Sequence, residues 1–292
     1  MPLQQLVEYF NDRFGQEHHS SFRPILLEDG LVSGLFGSIR IKSNFLALRH
    51  TLKPEVISGY GAQISVSTYD PLLLHAQQLD SLFHDADAYN GNFESIVNFD
   101  RLARTVHMLN YLPISHLEQT LFLDVDPRHI LGIQKDHGAY FEDVLTRCGL
   151  QTSNVAIVTG VNKNYAKYYE QLITGLDNYR SRGYRIALRL NDIVKEHYTL
   201  DFIEKVAPNY VSISTRSLED YAHGDLLDQT LAELRTRVST IEGQIILQQI
   251  YEKRFDQLAR QHGIDFVEGA YYRVRDVIAS KAQGPGKKVS YA

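Results

Sequence analysis

The sequence predicts a single α/β domain, a modified (β/α)8 barrel that opens with an antiparallel hairpin. Three observations carry this. From residue 119 onward, short apolar runs alternate with helical segments, the pattern of βα units feeding a parallel sheet. Ahead of them two strand-like runs flank an Asp-Gly turn in "FRPILLEDGLVSGLFGSIRI", which reads as a hairpin. Two hairpin strands and six later ones give the number a closed barrel needs. An open doubly wound sheet is the alternative, and it accommodates the opening hairpin less well. With 292 residues, 43% of them hydrophobic, the chain can bury one large core, and barrels of this kind run to ~250 residues as one domain.

Taken in order, Leu3, Leu6, Val7, Phe10 and Phe14 recur at helical spacing. Residues 1–20 are therefore expected to carry an amphipathic helix over 2–15, packed on the body or, alternatively, serving a dimer contact. Residues 21–276 are assigned to the barrel, with an insertion around 44–118. Within that insertion "GAQISVSTY" suits an extra strand, while "DPLLLHAQQLDSLFHDA" and "FDRLARTVHMLNYL" suit helices. Leu102, Val106, Leu109 and Leu112 form the apolar stripe of the second. The later strands are "TLFLDVD", "NVAIVTG", "YRIALRL", "NYVSIS", "QIILQQI" and "IDFVEGAYY". The helices between them fall on "GAYFEDVLTRCGL", Lys167 to Ser181, "LDFIEKVA", "DLLDQTLAELRTRVST" and "KRFDQLARQHG". Residues 277–292, with "KAQGPGKKVSYA", have little to bury and are expected to form a flexible tail.

The formal charge of −5 argues against a general nucleic-acid binder, which would carry a basic stripe. The single cysteine, Cys148, cannot form an internal disulfide and suits a packed thiol in a reducing compartment. No signal-peptide pattern opens the chain, and no apolar run approaches the ~18 residues of a membrane span, so the expectation is a cytoplasmic protein. The twelve histidines form no His-x-x-x-His or His-Glu-x-x-His pattern, and neither a P-loop nor a Gly-x-Ser-x-Gly elbow occurs. The 18 tyrosines cluster at "NYAKYYEQ" and "GAYYRV"; half-buried faces or a protein-binding surface would both use them.

Seven segments follow a family pattern in order. "FRPILLEDG" is similar to a Phe-Gln-Pro-Ile opening strand, and "GLFGSIR" falls where Gly-x-Glu-Ala-Leu-x-Arg would stand. "LDVDPRHI" is similar to Val-Asn-Leu-Ser-Pro, and "VAIVTG" to Leu-Glu-Ile-Thr-Glu. "GYRIALRLND" is similar to Gly-x-x-Ile-Ala-Leu-Asp-Asp-Phe-Gly, "PNYVSIS" to Pro-Asp-Tyr-Val-Lys-Ile-Asp, and "HGIDFVEGAYY" to Gly-x-Asp-x-x-Gln-Gly-Tyr-Tyr. Over residues 21–275 the chain resembles the EAL domain, the barrel family of cyclic di-GMP phosphodiesterases and their inactive relatives.

The resemblance also implies where chemistry would sit. The family hydrolyses a phosphodiester with one or two divalent cations held by hard oxygen ligands at strand ends. In the register quoted above, the glutamate of the family name falls on Phe36 and the asparagine on Asp124. The fourth-strand glutamates fall on Ile157 and Gly160, and the paired aspartates on Arg189 and Leu190. The catalytic lysine falls on Ser212, with an aspartate at Ser214. The Glu-Gly-Val-Glu carboxylates fall on Gln248 and Tyr251, and the last strand's glutamine on Glu268. An arginine where a metal ligand stood would repel a cation, so no catalytic residue, metal or cofactor is assigned. Arg40 matches the family's phosphate-contacting arginine, and Arg23 stands where the family has a helping glutamine; the two arginines either hold an anion or pair with carboxylates such as Glu28. The resemblance thus implies an inactive signalling protein acting by binding, foremost a protein-binding regulator in bacterial motility or biofilm control. A cyclic di-GMP receptor without hydrolysis, a residual phosphodiesterase using Asp124 and Glu268, and a barrel enzyme of other chemistry are the alternatives. Arg189 is expected to pair with Asp124 or Glu268 across the barrel mouth.

Overall fold

The computed structural model describes residues 2–18, 21–68, 93–116, 118–133, 137–161, 163–190, 197–219 and 225–273. Ten strands lie in one sheet: β1 (Ile25–Glu28), β2 (Leu31–Phe36), β3 (Ile39–His50), β4 (Ile57–Thr68), β5 (Thr120–Asp124), β6 (Val155–Val161), β7 (Arg185–Leu190), β8 (Tyr210–Ser214), β9 (Gln244–Gln248) and β10 (Phe266–Val267). The order is β1-β2-β3-β10-β9-β8-β7-β6-β5-β4, and an additional β3–β4 pairing closes β3 to β10 into an eight-stranded ring. Neighbours from β4 round to β10 are parallel. Strand β3 runs antiparallel to both β4 and β10.

The ring differs from the expected one at its start. The hairpin β1–β2 lies outside the closure, extending the sheet outward from β3. The first two barrel strands come from residues 39–50 and 57–68, mostly inside the stretch around 44–118 expected to be an insertion. The reason is length. At about 3.4 Å per residue, a 12-residue strand outruns the barrel wall. The first residues of β3 therefore pair with β2, at Ile39↔Phe36 and Ile41↔Gly34. Its last two pair with β10, at Arg49↔Val267 and His50↔Phe266.

Helices cover the wall: α1 (Leu3–His18), α2 (Phe93–Tyr111), α3 (Pro127–Gly132), α4 (Ala139–Arg147), α5 (Tyr169–Ser181), α6 (His197–Val206), α7 (Thr215–Glu219), α8 (Asp225–Thr240) and α9 (Lys253–Gln261). Local chemistry sets several of their ends. The Asp126 side chain accepts from the Arg128 N–H and Pro127 follows it, a capped start for α3. Gly183 closes α5 at φ +89°, while the Tyr184 N–H reaches back to the Tyr179 carbonyl at 3.2 Å. On α1, Leu6, Val7 and Phe10 are buried. Beside them the Asn11 amide bonds both the Ile25 N–H and its carbonyl, at 2.9 and 2.7 Å. The segment "DPLLLHAQQLDSLFHDA" and the tail 277–292 lie outside the described residues. No described helix is long and apolar enough to cross a membrane.

Strand alternation divides the core into two layers. Leu121, Leu123, Ile157, Ile186, Leu188, Val211, Ile213 and Leu247 face the helices. Phe122, Ala156, Val158, Ala187, Tyr210, Ile246 and Phe266, with Leu48, fill the barrel, as period-two side chains must. At the N-terminal end Arg185 Nη1 donates to Thr120 Oγ1 at 2.9 Å and Tyr210 Oη at 2.8 Å. The Tyr210 ring meets Phe122 and Phe266, with centroids 4.9 and 6.2 Å apart. The interior is thus filled at that end, and the cavity lies at the C-terminal ends of the strands.

Candidate functional site at the barrel mouth

Each mouth residue stands two positions beyond an interior one. Asp124 follows Phe122, Arg189 follows Ala187, Ser212 follows Tyr210, Gln248 follows Ile246, and Glu268 follows Phe266. With Gln63 of β4 they line one small cavity. Its free volume is about 30 Å³, room for a water or two.

Arg189 reaches across β6, and its Nη2 donates to Asp124 Oδ1 at 2.5 Å. The side chains are 37% and 47% exposed, so the pair contributes no more than ~1 kcal/mol to stability. Asp124 nonetheless raises the pKa of the guanidinium against the burial that opposes its charge. Glu268 is only 5% exposed. Burial pushes its carboxyl above the usual carboxylate range, which the Gln249 N–H and the charges of Arg273 and Arg189 only partly offset. Main-chain bonds fix its position: Glu268 N–H to the Leu247 carbonyl at 3.0 Å, and Ile250 N–H to the Glu268 carbonyl at 2.9 Å. Gln249 adopts φ +62°, a left-handed conformation costing roughly 1 kcal/mol in an L-residue. The Thr215 hydroxyl holds it by donating to its carbonyl at 2.8 Å.

A larger pocket of about 480 Å³ adjoins the mouth and shares Gln63, Asp124 and Arg189 with it. Ile64 and Val66 of β4 face Ile96, Phe99 and Ala103 of α2 across it. Asp100, Arg104 and His107 also line it. Arg104 Nη2 lies 2.8 Å from Asp100 Oδ2, and His129 Nδ1 lies 2.9 Å from the same oxygen. Burial keeps His129 neutral, its pKa lowered. His107 is buried with Nδ1 2.8 Å from Ser43 Oγ, and burial lowers its pKa to about 4.

No family model matches the chain, and no curated protein matches it. Solved structures do. The Bacillus subtilis YkuI protein, with an EAL domain and in complex with substrate c-di-GMP and calcium, is similar at TM-score 0.58 and 19% identity over 78% of this chain and 54% of its own. A manganese/c-di-GMP complex of Klebsiella pneumoniae BlrP1 gives 0.61 and 15% over 79% and 55%. The Xanthomonas citri FimX EAL domain, in complex with c-di-GMP, gives 0.62 and 9% over 92% of both chains. The fold is that of an EAL domain. At these identities the likeness concerns the fold alone, and the chain spans little more than half the length of the YkuI and BlrP1 chains.

Within this EAL-type barrel the structure brings Asp124, Arg189, Ser212, Gln248 and Glu268 together, while Gly160 lines the adjoining pocket. The other expected positions lie elsewhere. Phe36 sits at the end of the outer hairpin, packed edge-on against Phe99 at 5.3 Å. The strand beside Asp124 on that flank is β4, whose cavity-lining residues are Gly61, Ala62 and Gln63. Ile157 and Leu190 face the helices, because alternation allows only every second residue of β6 and β7 to point inward. Tyr251 lies on the exposed rim, its hydroxyl bonded to Glu219. Ser214 bonds Ser217 at 2.9 Å. Arg23 and Arg40 do not line the mouth: Arg23 pairs with Asp12 at 2.9 Å, and Arg40 with Glu28 at 2.6 Å. Gln63 and the Asp100–Arg104–His107 group escaped the sequence reading. Alternation of Ala62, Ile64 and Val66 with Gln63, Ser65 and Ser67 was the available signal for β4.

The mouth does not fit a divalent cation. Such an ion takes six or more oxygens, carboxylates foremost. Here one carboxylate is occupied by a guanidinium, and burial biases the other towards its neutral form. Among the described residues, no three His, Cys, Asp or Glu side chains come together as a metal site.

Proposed function

We propose that this EAL-type barrel acts in bacterial cyclic di-GMP signalling by binding rather than by hydrolysis, as a cytoplasmic, protein-binding regulator of motility or surface attachment. The observation that carries the reading is Arg189 seated on Asp124 in a mouth whose other carboxylate is the buried Glu268. Hydrolysis by activated water needs cations to bind both water and phosphate, and this charge arrangement opposes them. The test is incubation of concentrated protein with cyclic di-GMP and magnesium or manganese. No linear dinucleotide is expected, and turnover abolished by Asp124→Asn would overturn the proposal. Affinity capture from the native host should return a component of the motility or attachment apparatus.

A second reading is a cyclic di-GMP receptor, favoured by the pocket of about 480 Å³ that opens beside the mouth, within the usual range for small-molecule sites. Isothermal titration separates the two. Micromolar or tighter binding selects the receptor, and absence of heat selects the protein-binding regulator.

A further inference from the structure

We infer that Arg189 is a resident cation, standing where this mouth would otherwise gather a divalent ion, and that one substitution returns the site to cation binding. The inference rests on the proposal that the mouth does not hydrolyse, but its test is independent of dinucleotide and partner.

The argument starts from charge. Asp124 on β5 and Glu268 just after β10 enter the same cavity, from strands on opposite flanks of β7. Arg189 projects from β7 between them. It bonds Asp124 directly and contributes, with Arg273 and the Gln249 N–H, to restraining the rise of the Glu268 pKa. A nearby cation favours the charged form of a carboxylate facing such a cavity, whereas burial alone favours the neutral form of Glu268. Here the chain supplies that cation, tethered and permanent, since a guanidinium does not lose its proton. The remaining wall is uncharged: the Gln63 and Gln248 amides and the Ser212 hydroxyl bring oxygens to it, and apolar side chains such as Leu46, Leu48, Phe122 and Ile246 make up the rest. Free space is about 30 Å³, because the arginine side chain fills what a hydrated ion would need. Replacing it with a short carboxylate both empties the space and adds a third hard ligand, a donor set that calcium or manganese accepts.

The experiment uses the full chain, with calcium chloride, manganese chloride or EDTA, read by thermal unfolding and by calorimetric titration. Wild type should show no cation-dependent shift and no response to EDTA. Arg189→Asp should gain saturable calcium or manganese binding, raising the unfolding midpoint by about 4 °C at a hundredfold excess over Kd. Adding Asp124→Asn to that variant should abolish the gain. If Arg189→Asp folds only when cation is added, the proposal is equally supported. Arg189→Gln, neutral and close in shape, provides the second measurement: it should gain a weaker cation response. The inference is overturned if wild type binds the ions through Asp124. It is equally overturned if Arg189→Asp folds without taking them up, or if it never folds and Arg189→Gln stays unresponsive.

Discussion

Arg104→Leu tests the buried charge network that ties α2 to α3 beneath the pocket. Arg104 is 3% exposed and Asp100 9%, with their charged atoms 2.8 Å apart. Burial works against the Asp100 charge, yet Arg104 and His129 outweigh it and hold the carboxyl below its usual range. The same guanidinium lies 3.2 Å from His129 Nε2 and donates to Tyr179 Oη at 3.4 Å. Removing one partner of such a pair strands a buried charge, which costs about 3–5 kcal/mol, a large part of a typical stability of about 5–15 kcal/mol. Asp100→Leu should cost a similar amount by stranding the guanidinium. The double variant should lose much less than the sum, because both charges go together. Urea unfolding at neutral pH, followed by circular dichroism, supplies the four free energies. Single losses below about 1 kcal/mol, or an additive double variant, would refute the reasoning, since buried unpaired charge is the source of the cost.

Three further outcomes follow from the same structure. His107, lowered from 6.5 to about 4 by burial, favours the neutral ring in the folded state. Its contribution is present above pH 6.5 and lost as pH falls through 4, a span worth about 3 kcal/mol, so His107→Gln should flatten the acid limb of the stability curve in calorimetry. Glu268 has the opposite sign: its folded pKa is raised from 4.5, so its contribution is full below pH 4.5 and lost as pH rises through the folded value. Glu268→Gln should therefore melt higher than wild type at pH 8, with the gap closing below pH 4.5; equal midpoints at pH 8 would contradict this. A Cβ on Gly59 would stand 2.2 Å from the Thr120 carbonyl oxygen, whereas one on Gly61 meets nothing nearer than 4.0 Å. Gly59→Ala should therefore lose about 1–3 kcal/mol by forcing β4 from β5, while Gly61→Ala melts close to wild type.

Strands β5 to β9 were legible because each is a short apolar run buried on both faces, the mark of a parallel sheet under helices. The start of the barrel was less so: "GAQISVSTY" suits a strand, but one placed in an insertion. Half of β3 lies beyond the wall and carries Lys42, Ser43 and Asn44, so its sequence alternates weakly, while Gly59 and Gly61 interrupt the apolar pattern of β4. The hairpin ahead of them has the stronger signal, with an Asp-Gly turn whose residues take φ of 51° and 78°. Choosing it moved the first family position to Phe36, outside the ring. In the mouth, strand ends bring Asp124, Arg189 and Glu268 to one cavity, because Ala187 to Leu190 alternate without a bulge beside Tyr210 to Ile213. Ile157 and Leu190 stand at positions that period two turns towards the helices.

Closing a sheet on itself leaves no flank for a neighbour to join, but the outer hairpin reopens one at β1. Asn11 occupies the main chain of Ile25 there with both ends of its amide, and the buried side of α1 lies along the same strand. The first helix therefore guards part of this flank with its own chain: it satisfies the two main-chain groups of Ile25, which would otherwise be open to a second molecule's strand.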